Sequence, residues 1–129
     1  MNQAKLEDMP IRFGKYLLVE RIAHGGMAEI FKAKSYGVSG FEKTIVIKRI
    51  LPTLTEDREF VEMLIDEAKI CACLQHANIV QIFDLGRLEG RYFIAMEYVH
   101  GVDLVRVLYR LNKAKRRLPI ELCCFILSE

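Results

Sequence analysis

Two charged residues stand where apolar ones would be expected, and the chemistry they suggest is a cation held by a carboxylate. Lys48 lies in Glu42-Lys43-Thr44-Ile45-Val46-Ile47-Lys48-Arg49-Ile50, which reads as a strand. Side chains of a strand alternate, so Val46, Lys48 and Ile50 share one face and Ile45 and Ile47 the other. Glu67 lies among Phe60, Met63, Leu64, Ile70, Cys71 and Leu74, whose spacings of three and four make one stripe of a helix. A buried charge is costly unless it is paired, so the economical reading is that Lys48 and Glu67 meet. The plainer reading is that Lys48 snorkels from a half-buried strand and Glu67 sits at the margin of its stripe. A second candidate is Ala23-His24-Gly25-Gly26-Met27, set between two strand-like runs. Glycines at a hairpin tip let backbone N–H groups approach an anion closely, although an isolated Gly-Gly is more commonly just a tight turn.

The elements that must position these residues follow from local pattern. Lys15 to Ile22 and Ala28 to Lys34 are rich in strand formers and flank the glycines as a hairpin, not as the strand-to-helix join of a dinucleotide fold. No G-x-x-x-x-G-K-[ST] occurs, so a P-loop is excluded. Pro52 stops the Lys48 strand, and Thr53, Thr55 or Asp57 can cap the helix that carries Glu67. Ile79 to Leu85 and Arg91 to Val99 read as two further strands joined through Gly86 to Gly90. The expected class is α+β, a five-stranded antiparallel sheet with one long helix packed against it. Asp103 to Asn112 is expected to be helical, with Leu104, Val107, Leu108 and Leu111 on one face. Pro119 suits the start of a last helix that is apolar nearly all round, Leu122-Cys123-Cys124-Phe125-Ile126-Leu127. Such a helix needs cover, from a partner over 119–129 or from the remainder of an incomplete domain.

Composition bounds the rest. The 129 residues are 52% hydrophobic and 28% charged, enough to build a core in one domain or in part of a larger one. A net charge of +2 does not imply nucleic acid. The basic run Lys113-Ala114-Lys115-Arg116-Arg117 reads first as a solvated helix end or loop. No apolar run approaches the roughly 20 residues of a membrane span. Residues 1–10 carry Glu7 and Asp8 and no apolar core, so they read as a solvated leader, not a secretory signal. Cys71, Cys73, Cys123 and Cys124 lack C-x-x-C spacing and the three histidines are scattered, so no metal site is expected. Reduced cysteines and a cytoplasmic location are the default.

Taken in order, these features resemble the small N-terminal lobe of a protein kinase, especially the bacterial serine/threonine type. The family's Gly-rich loop, G-x-G-x-x-G-x-V, matches Ala23 to Ile30, and the bacterial Gly-Gly-Met variant matches Gly25-Gly26-Met27-Ala28-Glu29. V-A-I-K matches Ile45-Val46-Ile47-Lys48, and the helix glutamate that pairs with that lysine matches Glu67. His76-Ala77-Asn78-Ile79-Val80 looks like H-P-N-I-V, and Met96-Glu97-Tyr98-Val99 like the gatekeeper and hinge. The resemblance covers residues 11 to 129. It implies a small lobe over 11–98 and the hinge end and start of an incomplete large lobe over 99–129.

The resemblance also implies roles. The loop residues Ala23, His24, Gly25, Gly26 and Ala28 would cover the phosphates of ATP. Lys48, oriented by Glu67, would contact the α- and β-phosphates. Ile30, Val46 and Met96 would bound the adenine, backbone groups of Glu97 and Val99 would read its edge, and Asp103 would meet the ribose. Two loop glycines are alanine (Ala23 and Ala28), which resists φ > 0 and is expected to stiffen the loop. Val46 stands where the family has alanine and is expected to narrow the adenine site. The H-R-D catalytic loop and the D-F-G metal ligand have no counterpart in these residues. The implied enzyme uses ATP and Mg²⁺ to phosphorylate a protein, while this chain alone is expected to transfer no phosphate. Two other functions compete. One is a non-catalytic kinase-lobe remnant that docks on a partner through Phe125 and the Glu67 helix. The other is a small α+β domain binding nucleic acid through Lys113 to Arg117, which no aromatic platform supports.

Overall fold

The computed structural model describes residues 9–129, so the leader expected over 1–10 lies outside it except for Met9 and Pro10. The described residues form two compact units, 9–98 and 99–129. The first is built on one antiparallel sheet whose strand order is β1-β2-β3-β4-β6-β5. The strands are β1 (Ile11–Phe13), β2 (Tyr16–His24), β3 (Ala28–Tyr36), β4 (Glu42–Ile50), β5 (Ile82–Leu88) and β6 (Arg91–Glu97). Six strands replace the five expected. The addition is β1, three residues long, which pairs with β2 through Ile11–Leu18, Arg12–Leu17 and Phe13–Tyr16. So short a segment has no period to read; its strand character comes from the partner.

Alternation along β4 sets up two apolar layers. Ile45 and Ile47 point into the first, with Phe13, Tyr16, Leu18, Phe31 and Phe93. Ile47 is fully buried, which removes from water enough apolar surface for about 2 kcal/mol. Phe93 meets Phe13 and Tyr16 edge-on, with ring centroids 5.2 and 5.8 Å apart. Ile50 points into the second layer, between the sheet and the long helix, with Ala28, Leu64, Ala68 and Ile94.

Pro52 opens a single helical turn, α1 (Pro52–Thr55), before α2 (Arg58–Cys73). Of the three candidate caps Asp57 takes the position, its Oδ1 accepting from the Phe60 N–H at 3.1 Å. The buried face of α2 is Val61, Leu64 and Ala68. This corrects the expected stripe: Met63 is 60% and Ile70 64% exposed. The helix seats its narrow side, Ala68, against the sheet, which turns those two larger residues outward.

The second unit holds α3 (Leu104–Lys113) and α4 (Ile120–Ser128). Asp103 caps α3, its carboxylate accepting from the Arg106 N–H at 2.7 Å. No residue of either helix is buried, and Phe125 and Leu127 are among the exposed apolar residues of α4.

Candidate functional site

Strand register gathers the predicted residues. Ala23 pairs with Ile30, Ile30 with Lys48 and Lys48 with Ile94, so one row crosses β2, β3, β4 and β6. The next row runs Lys32, Val46, Met96 and Ile82. Paired residues share a face, so Ile30, Val46, Lys48 and Met96 form one continuous surface: three apolar side chains around a half-buried ammonium. His24 pairs with Glu29 and alternates to the opposite face. Its side chain is therefore on the face away from Lys48, while its backbone stays in the hairpin.

On this same face lies a cavity of about 140 Å³ between α2 and the sheet, lined by Lys48, Leu64, Glu67, Ala68, Cys71, Ile82, Ile94 and Met96. Lys48 and Glu67 both reach it. Among the described residues no ion pair within 4.0 Å joins them, so the pair is open, not closed. The physical reason is solvent: Glu67 is exposed on α2 and keeps its hydration without a partner.

The hairpin tip is a tight turn in which the Gly25 N–H donates to the Ala28 carbonyl at 2.9 Å. That N–H is spent inside the loop. A Cβ built on Gly26 would meet nothing within 4 Å, so the backbone there is open to close approach. Neither Gly25 nor Gly26 has a positive φ, and Ala23 and Ala28 lie in strands, also without one. The stiffening expected from alanine therefore has no basis in φ. The methyl of Ala28 is instead buried against Ile50, Leu64 and Ala68, which joins the hairpin to α2 through the core. The tip is further tied by the Leu51 N–H, which donates to the Met27 carbonyl at 3.0 Å.

At the root of the hairpin is a charge network that local pattern did not reveal. One oxygen of Glu29 accepts from Arg49 at 2.8 Å, and Arg21 and Arg91 approach the same carboxylate at 3.6 and 3.8 Å. Arg49 and Glu29 keep only 14% and 15% of their side chains exposed. The Arg49 guanidinium lies 4.8 Å over the Phe31 ring. The available signal was the alternation itself, which puts Arg49 with Ile45 and Ile47 on the face away from Lys48. A second network lies on the same face of the sheet, beside the Phe13, Tyr16 and Phe93 cluster. Lys15 lies 2.9 Å from Asp84, which also accepts from the Tyr16 hydroxyl at 2.9 Å. The hydrogen bond from Lys15, helped by that from Tyr16, holds the Asp84 carboxyl below its ordinary value against the opposing effect of burial.

Of the remaining candidates, the Glu97 N–H donates to the Gln81 carbonyl at 2.9 Å and is thereby committed. Val99 and Asp103 fall in the second unit, and the Asp103 carboxylate serves as the α3 cap. Among the described residues no group of three or more His, Cys, Asp or Glu is placed to hold a metal ion, and no helix is long and apolar enough to cross a membrane.

Comparison with known proteins decides the family. The model for the protein tyrosine and serine/threonine kinase family matches residues 17–126. The chain belongs to the protein kinase family. It is similar to the tyrosine-protein kinase MasK of Myxococcus xanthus, 48% identical over all 129 residues, which are 20% of that protein. It is also similar to the serine/threonine-protein kinase PrkC of Bacillus subtilis, 35% identical over 91 residues, covering 70% of this chain and 14% of that one. The chain thus spans about a fifth or less of the curated relatives it matches. Among solved structures, the kinase domain of Mycobacterium tuberculosis PknI superposes with a TM-score of 0.70 at 26% identity, over 87% of this chain and 43% of that one. The six-stranded sheet with α2 is the α+β small lobe of a protein kinase.

Proposed function

We propose that this chain is the ATP-binding portion of a bacterial serine/threonine protein kinase that works in the cytoplasm and transfers the γ-phosphate of ATP to protein hydroxyls. The observation that carries the reading is the placement of Lys48: a half-buried ammonium on an apolar surface, one row from Val46 and Met96 and facing the same cavity as Glu67. The donor set fits a nucleotide triphosphate. Ile30, Val46 and Met96 offer apolar walls for a planar base, Lys48 a fixed positive charge for phosphate oxygens, and Gly26 an open backbone. Bound ATP would supply the phosphoryl group; the chain's own part is to hold and orient it. Glu67 acts on Lys48 by restraining its ammonium when the pair closes. Asp103 and Val99 belong to the same reading as ribose and adenine contacts.

Serine/threonine preference follows the names of most relatives, against a tyrosine kinase at the highest identity quoted, so phosphoamino-acid analysis of the parent kinase's product tests it directly. The sequence has no H-R-D or D-F-G segment, and among the described residues no acidic cluster is placed to hold a metal ion, so we expect no turnover from the 129 residues alone. Thermal denaturation with Mg-ATP tests the binding. At ATP about 100 times its Kd, stabilisation should approach about 2.7 kcal/mol and disappear in Lys48→Ala. No stabilisation of the wild-type chain at millimolar ATP would favour the second reading, an interaction module. The exposed apolar residues of α4 are the observation that supports it.

A further inference from the structure

The basic run that the nucleotide reading leaves unused belongs to a larger surface. Between Leu104 and Leu118 there are six cations (Arg106, Arg110, Lys113, Lys115, Arg116 and Arg117) and no acidic residue. The other 13 Lys and Arg face 17 Asp and Glu, so the chain's positive charge is concentrated in this one segment and the remainder is net negative.

Helix geometry separates this charge from the apolar side. At 3.6 residues per turn, Leu104, Val107, Leu108 and Leu111 fall on one side of α3, and Arg106, Arg110 and Lys113 on the opposite side. All six cations are exposed. A cover seated on the apolar side need not touch the basic side, which is opposite. Tyr109 lies beside it, with the Lys113 ammonium 5.0 Å over the ring. A single ring already capped by a cation is a poor base-stacking platform, because sequence-tolerant binding of single strands needs successive open rings. A lone amphipathic helix on an anionic membrane buries its apolar face in the lipid with its cations at the headgroups, so vesicles of anionic lipid are the competing outcome that the test must separate.

We infer that the basic face of α3 and the run Lys115 to Arg117 dock an acidic peptide segment of a protein partner, a protein being the partner class that the kinase reading calls for. This inference rests on that reading for its choice of partner, and on charge complementarity for its position. Exposed carboxylate–guanidinium contacts are individually weak, so recognition comes from several acting together and falls with salt.

The test is fluorescence anisotropy of the 129-residue chain with a labelled peptide of alternating Glu and Gly, run beside an oligothymidylate of similar length and phosphatidylglycerol vesicles. We expect saturable peptide binding, tighter than to either competitor and weakened by salt. It should fall about tenfold in Arg106→Gln/Arg110→Gln/Lys113→Gln. Glutamine supports a helix as well as lysine does, and circular dichroism checks that α3 persists; Lys69→Gln, on α2, should bind as the wild type does. Preference for the oligonucleotide or for vesicles, absence of peptide binding, or indifference to the triple substitution overturns the inference. The ATP-induced thermal shift is read on the same samples. Lost peptide binding with intact ATP stabilisation removes the docking surface and leaves the nucleotide reading standing, while the reverse removes the nucleotide reading and leaves the surface.

Discussion

Substituting Glu29 by alanine isolates the network that anchors the Gly-rich hairpin. The carboxylate is the common acceptor of three guanidiniums, and its contact with Arg49 joins two side chains that are each about 85% buried. Breaking a fully buried ion pair by removing one partner costs about 3–5 kcal/mol, whereas an exposed pair is worth at most about 1 kcal/mol. Arg21 and Arg91, at 27% and 29% exposure, can turn toward water once released. Arg49 cannot do so easily, because it lies over Phe31 and its Nε is already buried without a partner. The expected cost therefore falls between the limits, at about 2–3 kcal/mol. For a unit of this size that is a fall in Tm of roughly 10–20 °C, measured by circular dichroism. A second substitution tests the cause. With Arg49→Met added, the most buried of the three stranded guanidiniums is gone, and a large part of the loss should return as a favourable coupling in the double-mutant cycle. A fall of less than about 3 °C for Glu29→Ala, or no recovery in the double variant, would refute the argument that Arg49 depends on this carboxylate.

Other expectations follow from the same core. The Asp84 carboxyl is held below its ordinary value of 3.8. Its contribution to stability is therefore complete above that value and lost as pH falls through the lower folded value. Asp84→Asn should remove this dependence, so that urea midpoints of the variant fall less steeply below about pH 4 than those of the wild type. Gly86 sits on β5 where an added Cβ would lie 2.8 Å from two ring atoms of Phe93. That ring is held by Phe13 and Tyr16, so Gly86→Ala should destabilise by about 1–3 kcal/mol in urea denaturation, and an unchanged midpoint would show that the ring is free to move.

Much of the small lobe was legible because period two is a rigid code. The alternation of β4 placed Ile45 and Ile47 against Ile50 and Lys48, and the two apolar layers have those residues on the expected sides. Helix α2 was harder. A stripe read at spacings of three and four gives the large residues the core, yet Ala68 is buried and Met63 and Ile70 are not. Size does not decide which side faces the sheet when the gap to be filled is narrow. Strand β1 and the Glu29 network lay beyond local pattern for another reason. Their partners are supplied by other strands, and Glu29 and Arg49 are 20 residues apart. Strands β5 and β6 were found with shifted bounds, because Ile79 to Gln81 has strand composition but precedes the ladder, while Gly86 to Leu88 continues it.

The position of Ala28 changes how the open Lys48–Glu67 pair should be understood. The hairpin and α2 are not independent elements that happen to flank a lysine. They share one apolar layer, in which Ala28 at the base of the hairpin packs with Ile50, Leu64 and Ala68. Lys48 lies on the strand that ends in Ile50, and Glu67 is the residue before Ala68. A turn of α2 about its axis large enough to bring Glu67 to Lys48 must therefore move Ala68, and with it the surface against which the hairpin rests. Close packing resists such sliding in small steps, so a turn of α2 and a shift of the hairpin would go together. An alanine methyl is small enough to let α2 come near and large enough to register its position. A glycine at 28 would leave a gap about a methyl wide and weaken that link.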